Sequence, residues 1–377
     1  MDVPPIGEPA LCLEAAERRR YARQIMLVGF GEEGQRRLAG ARALVIGAGG
    51  LGSVTATYLA AAGVGTIGLV DDDVVDESNL HRQVIHATGD LGRRKVDSAA
   101  ERLDAINPLV RVERHAERIG PDNALRLVTA YDLVVDGADN FATRYVVADA
   151  CVLAGRPHVW GSILRFDGQV SVWWPPHGPC YRCVFPAPPA AGSVLSCAEA
   201  GVLPSLCATV GAACSTEALK LIAGIGRPLL GRLLLHDALE GSYAELPVRR
   251  NPACALCGPA ATISSPGQDV APLAVPAGRL DPAGLTRELD GERAVVLIDV
   301  REPHEWATGM IPGARGIPLG QLAAVADLPT EQRIVLYCAG GVRSAAGVET
   351  LVERGFADVT DLAGGMAAWR SAGRPVA

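Results

Sequence analysis

From Ala43 to Val70 the chain runs without a charged side chain, a stretch long enough to cross a bilayer. Its seven glycines divide it into an apolar run, a glycine turn and a second apolar run. That pattern predicts a buried strand-helix-strand unit instead of a membrane span. A helix-like segment, Glu14 to Leu38, precedes it. Further strand and helix candidates follow at "YDLVVDGAD", "ADACVLAG", "PHVWGSI" and "GQVSVWW". The alternation predicts an α/β sheet that is parallel at least in its first half.

The pattern then stops. Residues 258–276, "GPAATISSPGQDVAPLAVP", are rich in Pro, Ser and Ala, as linkers are. Beyond them periodic segments return: "AVVLIDV" and "RIVLYCAGG" as strands, "GQLAAV" and "RSAAGVETLVERGF" as helices. The expected organisation is a larger domain over 1–258, a linker over 259–276 and a smaller α/β domain over 277–377. A chain of 377 residues has room for two cores.

Composition narrows the function. A net charge of −7 argues against a nucleic-acid-binding surface. The first twenty residues show no basic stretch followed by an apolar core, so a cytoplasmic location without membrane attachment is expected. Ten cysteines in that setting point to metal ligands, reactive thiols or core fillers more than to disulfides.

"GAGGLG", residues 47–52, follows an apolar run and opens an apolar helix, and Asp71 ends the next strand. Glycines there let backbone N–H groups approach phosphates, and the acid can bind ribose hydroxyls. A dehydrogenase is the first reading. It does not explain "DDDVVDESNLHRQ" and "LGRRKVDSA", which bring Asp73, Asn79, Arg82 and Lys95. Two cations with carboxylates suit a triphosphate and its metal. "DGADNFATR" adds Asp139 and Asn140 at the end of a further apolar strand, where such sheets bind their ligands.

These segments, with "YARQIMLVGFGEEGQ", resemble the MoeB/ThiF family of adenylating enzymes, relatives of ubiquitin-activating enzymes, over about residues 15–260. The resemblance implies a Rossmann-like adenylation domain. It implies ATP held by Gly50, Asp71, Ser78, Asn79, Leu80, His81, Arg82, Lys95, Asp139 and Asn140, with Mg2+ near Asp139. Arg23 matches the arginine that reaches a neighbouring subunit's ATP, so a homodimer is implied. The implied reaction is attack by the C-terminal Gly-Gly carboxylate of a small ubiquitin-like carrier on the α-phosphate.

Two C-x-x-C pairs, Cys180/Cys183 and Cys254/Cys257, have the spacing of a four-thiolate zinc site that would staple distant segments. A redox pair or two disulfides are the competing readings; the resemblance implies structural zinc at these four positions. Cys197 stands in "GSVLSCAEAG", alone either a core cysteine or a loop thiol; the family setting implies a catalytic loop cysteine. Cys207 and Cys214, seven apart on one helical face, read as core. Cys12 and Cys151 carry no signal.

In "LYCAGGVRS" an apolar strand ends at Cys338 and a helix begins near Ser344. Converging N–H groups, a helix N-terminus and Arg343 are expected to favour an anionic sulfur. This loop, Cys338, Ala339, Gly340, Gly341, Val342 and Arg343, with "LIDVREPHEWATGMIPGARGIPL" and "LAGGMAAW", resembles rhodanese over about residues 278–377. The resemblance implies a persulfide on Cys338, with Asp299 and Arg301 orienting the fold. Ala339 stands where many relatives carry a basic residue, which weakens the case for thiosulfate against a cysteine desulfurase persulfide as sulfur donor. The fusion resembles MoeB–rhodanese proteins: one domain makes an electrophilic acyl-adenylate, the other the nucleophilic sulfur it needs. The alternative is a nucleotide-binding sulfur-relay scaffold that adenylates nothing.

Overall fold

The charge-free stretch forms strand β1 (Arg42–Ile46), the helix Gly50–Ala62 and strand β2 (Thr66–Val70). The computed structural model describes residues 3–175, 177–189, 201–268, 279–291, 293–325, 328 and 332–377. Residues 3–188 and 201–268 belong to one compact unit, and 279–377 to a second.

The first unit is built on an eight-stranded sheet in the order β3-β2-β1-β4-β5-β6-β7-β8. β3 is Arg111–His115, β4 Leu133–Asp136, β5 His158–Leu164, β6 Asp167–Trp173, β7 Arg232–Asp237 and β8 Ser242–Pro247. β3, β2, β1, β4 and β5 are parallel, and β5 to β8 antiparallel. Register sets the site: Ile46 pairs with Val70 on one side and with Asp136 on the other. The loops after β1, β2 and β4 therefore leave one edge of the sheet at one level, where strand order reverses and such folds bind ligands.

The Gly50–Ala62 helix is apolar nearly all round because it lies between the sheet and the helix Pro204–Ala223. Pro204–Ala223 is, among the described residues, the one helix long and apolar enough to cross a membrane, and 61% of its most apolar window is buried. Cys207 and Cys214 lie on its buried face, and burial pushes the Cys214 thiol well up, as for a core filler. Two glycines are required by contact. A Cβ on Gly52 would stand 1.7 Å from the Gly47 carbonyl oxygen, and one on Gly50 2.8 Å from Cys207 Sγ.

Part of the stretch that reads as linker is structured on this unit. Ile263 is buried among the paired cysteines, and the Gly267 N–H donates to Asp149 Oδ2 (2.9 Å).

The second unit holds a four-stranded parallel sheet, β10-β9-β11-β12, with β9 Val295–Asp299, β10 Arg315–Gly316, β11 Arg333–Tyr337 and β12 Val359–Asp361. Alternate residues of β9 and β11 enter opposite layers: Ile298, Ile334 and Leu336 pack with Leu351 and Phe356, and Leu297, Val335 and Tyr337 with Leu285 and Trp369. β11 is covered on both faces, so it reads in sequence as an unbroken apolar run.

Candidate active sites and a four-cysteine centre

A cleft opens at the level edge of the first sheet. Gly50, Asp71, Arg82, Lys95, Asp139 and Asn140 all line it, from five separate stretches of chain. Asp71 fixes the glycine turn: its carboxylate accepts the Ala48 N–H (2.8 Å) and the Asp73 N–H (2.9 Å). Burial raises its pKa above the usual carboxylate range, against the pull of Lys95. The other side of the turn is held by His86, whose Nε2 lies 3.1 Å from the Ala48 carbonyl oxygen and whose Nδ1 lies 2.9 Å from Ser98 Oγ. A carbonyl only accepts, so Nε2 carries the proton and Nδ1 accepts from the serine. Burial lowers the His86 pKa, which keeps the ring neutral.

Lys95 is buried and reaches Asp73 at 2.8 Å. Asn140 caps the helix Phe141–Leu153 by accepting the Thr143 N–H (2.9 Å). The described residues give Asp139 no hydrogen-bond or ion-pair partner, and it faces the cleft exposed.

Ser78, Asn79, Leu80 and His81 do not line the cleft. They form the turn that aims Arg82, whose guanidinium donates to the Ser78 carbonyl (3.1 Å), to Asn79 Oδ1 (2.9 Å) and to His81 Nε2 (2.9 Å). Arg23 is exposed on the short helix Ala22–Ile25 and does not line this cleft. Cys197 lies outside the described residues.

The cleft also contains residues that the sequence reading missed. Gln83, next to Arg82 in "NLHRQ", is buried in its wall. Glu117, Arg118 and Ile119 follow β3, whose polar sequence "RVERH" carries no apolar signal. Arg144 donates from Nε to the Ala138 carbonyl (3.0 Å), and its guanidinium carbon lies 5.9 Å from the Trp160 ring centre.

The two C-x-x-C pairs meet. Cys180 Sγ is 3.7 Å from Cys183 Sγ and 3.5 Å from Cys254 Sγ, and Cys183 Sγ is 3.5 Å from Cys257 Sγ. Four thiolates at about 2.3 Å from one zinc have tetrahedral edges of about 3.8 Å, and a disulfide would need about 2.05 Å. The donor set therefore fits a tetrahedral metal, and these sulfurs are not bonded to one another in this structure. Each pair sits on a tight turn, Cys183 N–H to Cys180 O (3.0 Å) and Gly258 N–H to Cys254 O (2.9 Å). The hydrogen bond from Cys180 holds the Cys183 thiol down at about 5, and the same bond with burial holds Cys180 up. Beside the cluster, Arg182 donates to both oxygens of Asp149 (2.6 and 2.9 Å), a pair that is almost fully buried.

In the second unit Cys338 directly follows β11, fully buried, and its sulfur accepts the Gly341 N–H (3.0 Å). Ser344 Oγ lies 3.7 Å from that sulfur and gives its proton to Asp361 (2.7 Å). Gly341 takes φ +90, and the loop is gripped by N–H groups of Met366 and Ala367 on the carbonyls of Cys338 (2.8 Å) and Ala339 (3.0 Å). A Cβ on Gly340 would meet nothing within 4 Å, so the loop is open there. The positive charge that the sequence assigns to Arg343 is met by Glu305, bonded at 2.6 and 2.8 Å. Asp299 and Arg301 form a buried pair at 2.6 Å that also ties Gly309 by its carbonyl (2.8 Å).

Both units match known families. The model of the ThiF family matches residues 21–256, and that of the rhodanese-like domain residues 281–372. The chain is 49% identical over 390 aligned residues to a probable adenylyltransferase/sulfurtransferase MoeZ of Mycobacterium tuberculosis, covering 99% of this chain and 98% of that one. It is 55% identical over 247 residues to a sulfur carrier protein adenylyltransferase of Thermus thermophilus, covering 64% of this chain and 91% of that one. The fold is similar over 63% of this chain and 74% of that one to Escherichia coli MccB, with TM-score 0.57 and 23% identity.

Proposed function

We infer what this enzyme does from the family it belongs to: the chain is a member of the ThiF family that carries a rhodanese-like domain behind the family's own. It adenylates the C-terminal glycine of a ubiquitin-like sulfur-carrier protein and then delivers sulfur from Cys338 to give a thiocarboxylate. The observation that carries the first half is the convergence of Arg82, Lys95 and Asp139 on one cleft beside the glycine turn. A nucleotide-binding scaffold would not need these charges, and that reading is not favoured.

In this account the backbone of the Gly47–Gly52 turn receives the phosphates, and Asp71 holds the turn and faces the ribose. Arg82, braced by Ser78 and Asn79, and Lys95 neutralise charge on the α-phosphate and the departing pyrophosphate. Asp139, without a partner among the described residues, is the residue that would hold Mg2+, which screens the phosphate charge when bound. The carrier carboxylate attacks the α-phosphorus; the acyl-adenylate forms and pyrophosphate leaves. The persulfide on Cys338 then attacks the acyl carbon and releases AMP. A second thiol, for which Cys197 is the candidate, attacks Cys338 Sγ, forms a disulfide with it and frees the carrier as its thiocarboxylate.

Zn2+ in the four-cysteine centre, a homodimer in which Arg23 completes a neighbour's site, and a cytoplasmic location belong to the same proposal. So does thiosulfate or a cysteine desulfurase persulfide as sulfur donor. The S···S spacings support zinc. Carrier-dependent exchange of labelled pyrophosphate into ATP tests the first half. Exchange that needs a Gly-Gly carrier is expected; none with several such carriers would refute it.

A further inference from the structure

Gln83 carries an inference that goes past this reading and rests on it. The side chain is 4% exposed and lines the cleft, yet its Oε1 is buried with no hydrogen-bond partner among the described residues. Its position is fixed by backbone bonds, N–H to the Asn79 carbonyl (3.0 Å) and carbonyl to the His86 N–H (3.1 Å). Its amide nitrogen lies 3.7 Å from where a Cβ on Gly49 would stand, so one end of the amide faces the glycine turn, and a half-turn of the amide puts the oxygen there in its place. A buried amide left unpaired in the protein is costly, so a water or a ligand completes it, and its place in the cleft wall points to the ligand.

The ligand's chemistry follows from what an amide oxygen needs. Whichever way the amide is turned, one end is a carbonyl oxygen that requires a donor. Phosphate oxygens in ATP at neutral pH are acceptors and cannot supply one. Ribose hydroxyls belong with Asp71 at the end of β2. The remaining donor close to the reacting phosphate is the carrier tail. Its carboxylate must come within about 3–3.5 Å of the phosphorus to react, and the N–H of the same terminal glycine is one Cα away from that carboxyl carbon. We propose that Gln83 binds the last peptide group of the carrier, its Oε1 accepting the terminal glycine N–H, and so recognises an unsubstituted C-terminal peptide.

The test removes that N–H without adding bulk. A Gly-Gly carrier and a semisynthetic version, in which an ester oxygen replaces the last peptide nitrogen, are compared in pyrophosphate exchange with wild type, Gln83→Ala and Gln83→Met. Wild type is expected to show a KM for the ester carrier about tenfold higher than for the amide carrier. Each variant is expected to show the raised KM with both carriers and an ATP Kd within about twofold of wild type. Equal KM values for the two carriers with wild type would overturn the assignment even if neither variant folds. Variants that still discriminate, or that lose ATP affinity instead, would overturn it too. Absence of carrier-dependent exchange in wild type would overturn this and the functional reading together, whereas exchange without discrimination overturns only the role of Gln83.

Discussion

Arg343 donates to both carboxylate oxygens of Glu305, at 2.6 and 2.8 Å, across 38 residues of sequence. The sequence alone makes Arg343 a free cation on the sulfur loop; the fold spends that charge on a carboxylate. The other arginines near the loop are paired as well, Arg279 with Asp361 and Arg301 with Asp299. Dianionic thiosulfate, if it is the donor, would therefore meet backbone N–H groups more than open charge. Glu305→Gln, which keeps a hydrogen-bonding oxygen and removes the charge, is expected to lower the KM of persulfide formation from thiosulfate several-fold. Persulfide formation read by a cold-cyanide thiocyanate assay checks it; an unchanged KM counts against the charge argument.

The two reactions should separate by mutation. Cys338→Ala is expected to leave carrier-dependent pyrophosphate exchange within about twofold of wild type and to abolish thiocarboxylate formation. Lys95→Ala and Asp139→Ala are expected to cut exchange by a hundredfold or more, the scale of losing a group that stabilises transition-state charge, while Cys338 still takes up sulfur. Equal loss of both activities in either variant would contradict the division of labour.

How far these sites can be read from sequence depends on the range of the interaction. The strands before Gly47, Asp71 and Gly137 are buried on both faces, so they appear as apolar runs and their loops could be placed together. β3, "RVERH", and β8, whose residues are all exposed, carry no such run, and the short "LLL" of β7 is too brief to stand out. Arg82 and Lys95 are legible as motif residues, but the role of Ser78 to His81 in bracing Arg82, not lining the cleft, needs coordinates. Pairs such as Arg182 and Asp149, separated by 33 residues, leave no local pattern at all.

That pair sets a stability prediction. Both side chains are buried, and removing one leaves an uncompensated charge that costs about 3–5 kcal/mol. Asp149→Ala is expected to lower Tm by many degrees and to weaken metal retention, because Arg182 sits between Cys180 and Cys183. Thermal melts with metal analysis check both. Cys254→Ser should release zinc from the purified protein, with a lowered Tm; full zinc content in that variant would contradict a four-thiolate centre.

Burial lowers the pKa of two histidines, His86 and His115. The unfolded chain then binds protons that the folded one does not, so their contribution to stability is complete above the ordinary histidine value of about 6.5 and falls as pH drops below it. His86 also holds the nucleotide turn through Ala48. Tm is expected to fall between pH 7 and 5.5 in wild type and to fall less in His86→Gln, with His115 supplying the remainder. A wild-type Tm that does not fall over that range would contradict it.

In the proposed function Cys338 and the cleft serve one reaction. The direct measurement incubates the full chain with ATP, Mg2+, a sulfur donor and a Gly-Gly carrier, and weighs the intact carrier by mass spectrometry. The expected product is a carrier heavier by the exchange of one oxygen for sulfur, dependent on ATP and lost in Cys338→Ala. A carrier that stops at the adenylate, or gains sulfur without ATP, would contradict it.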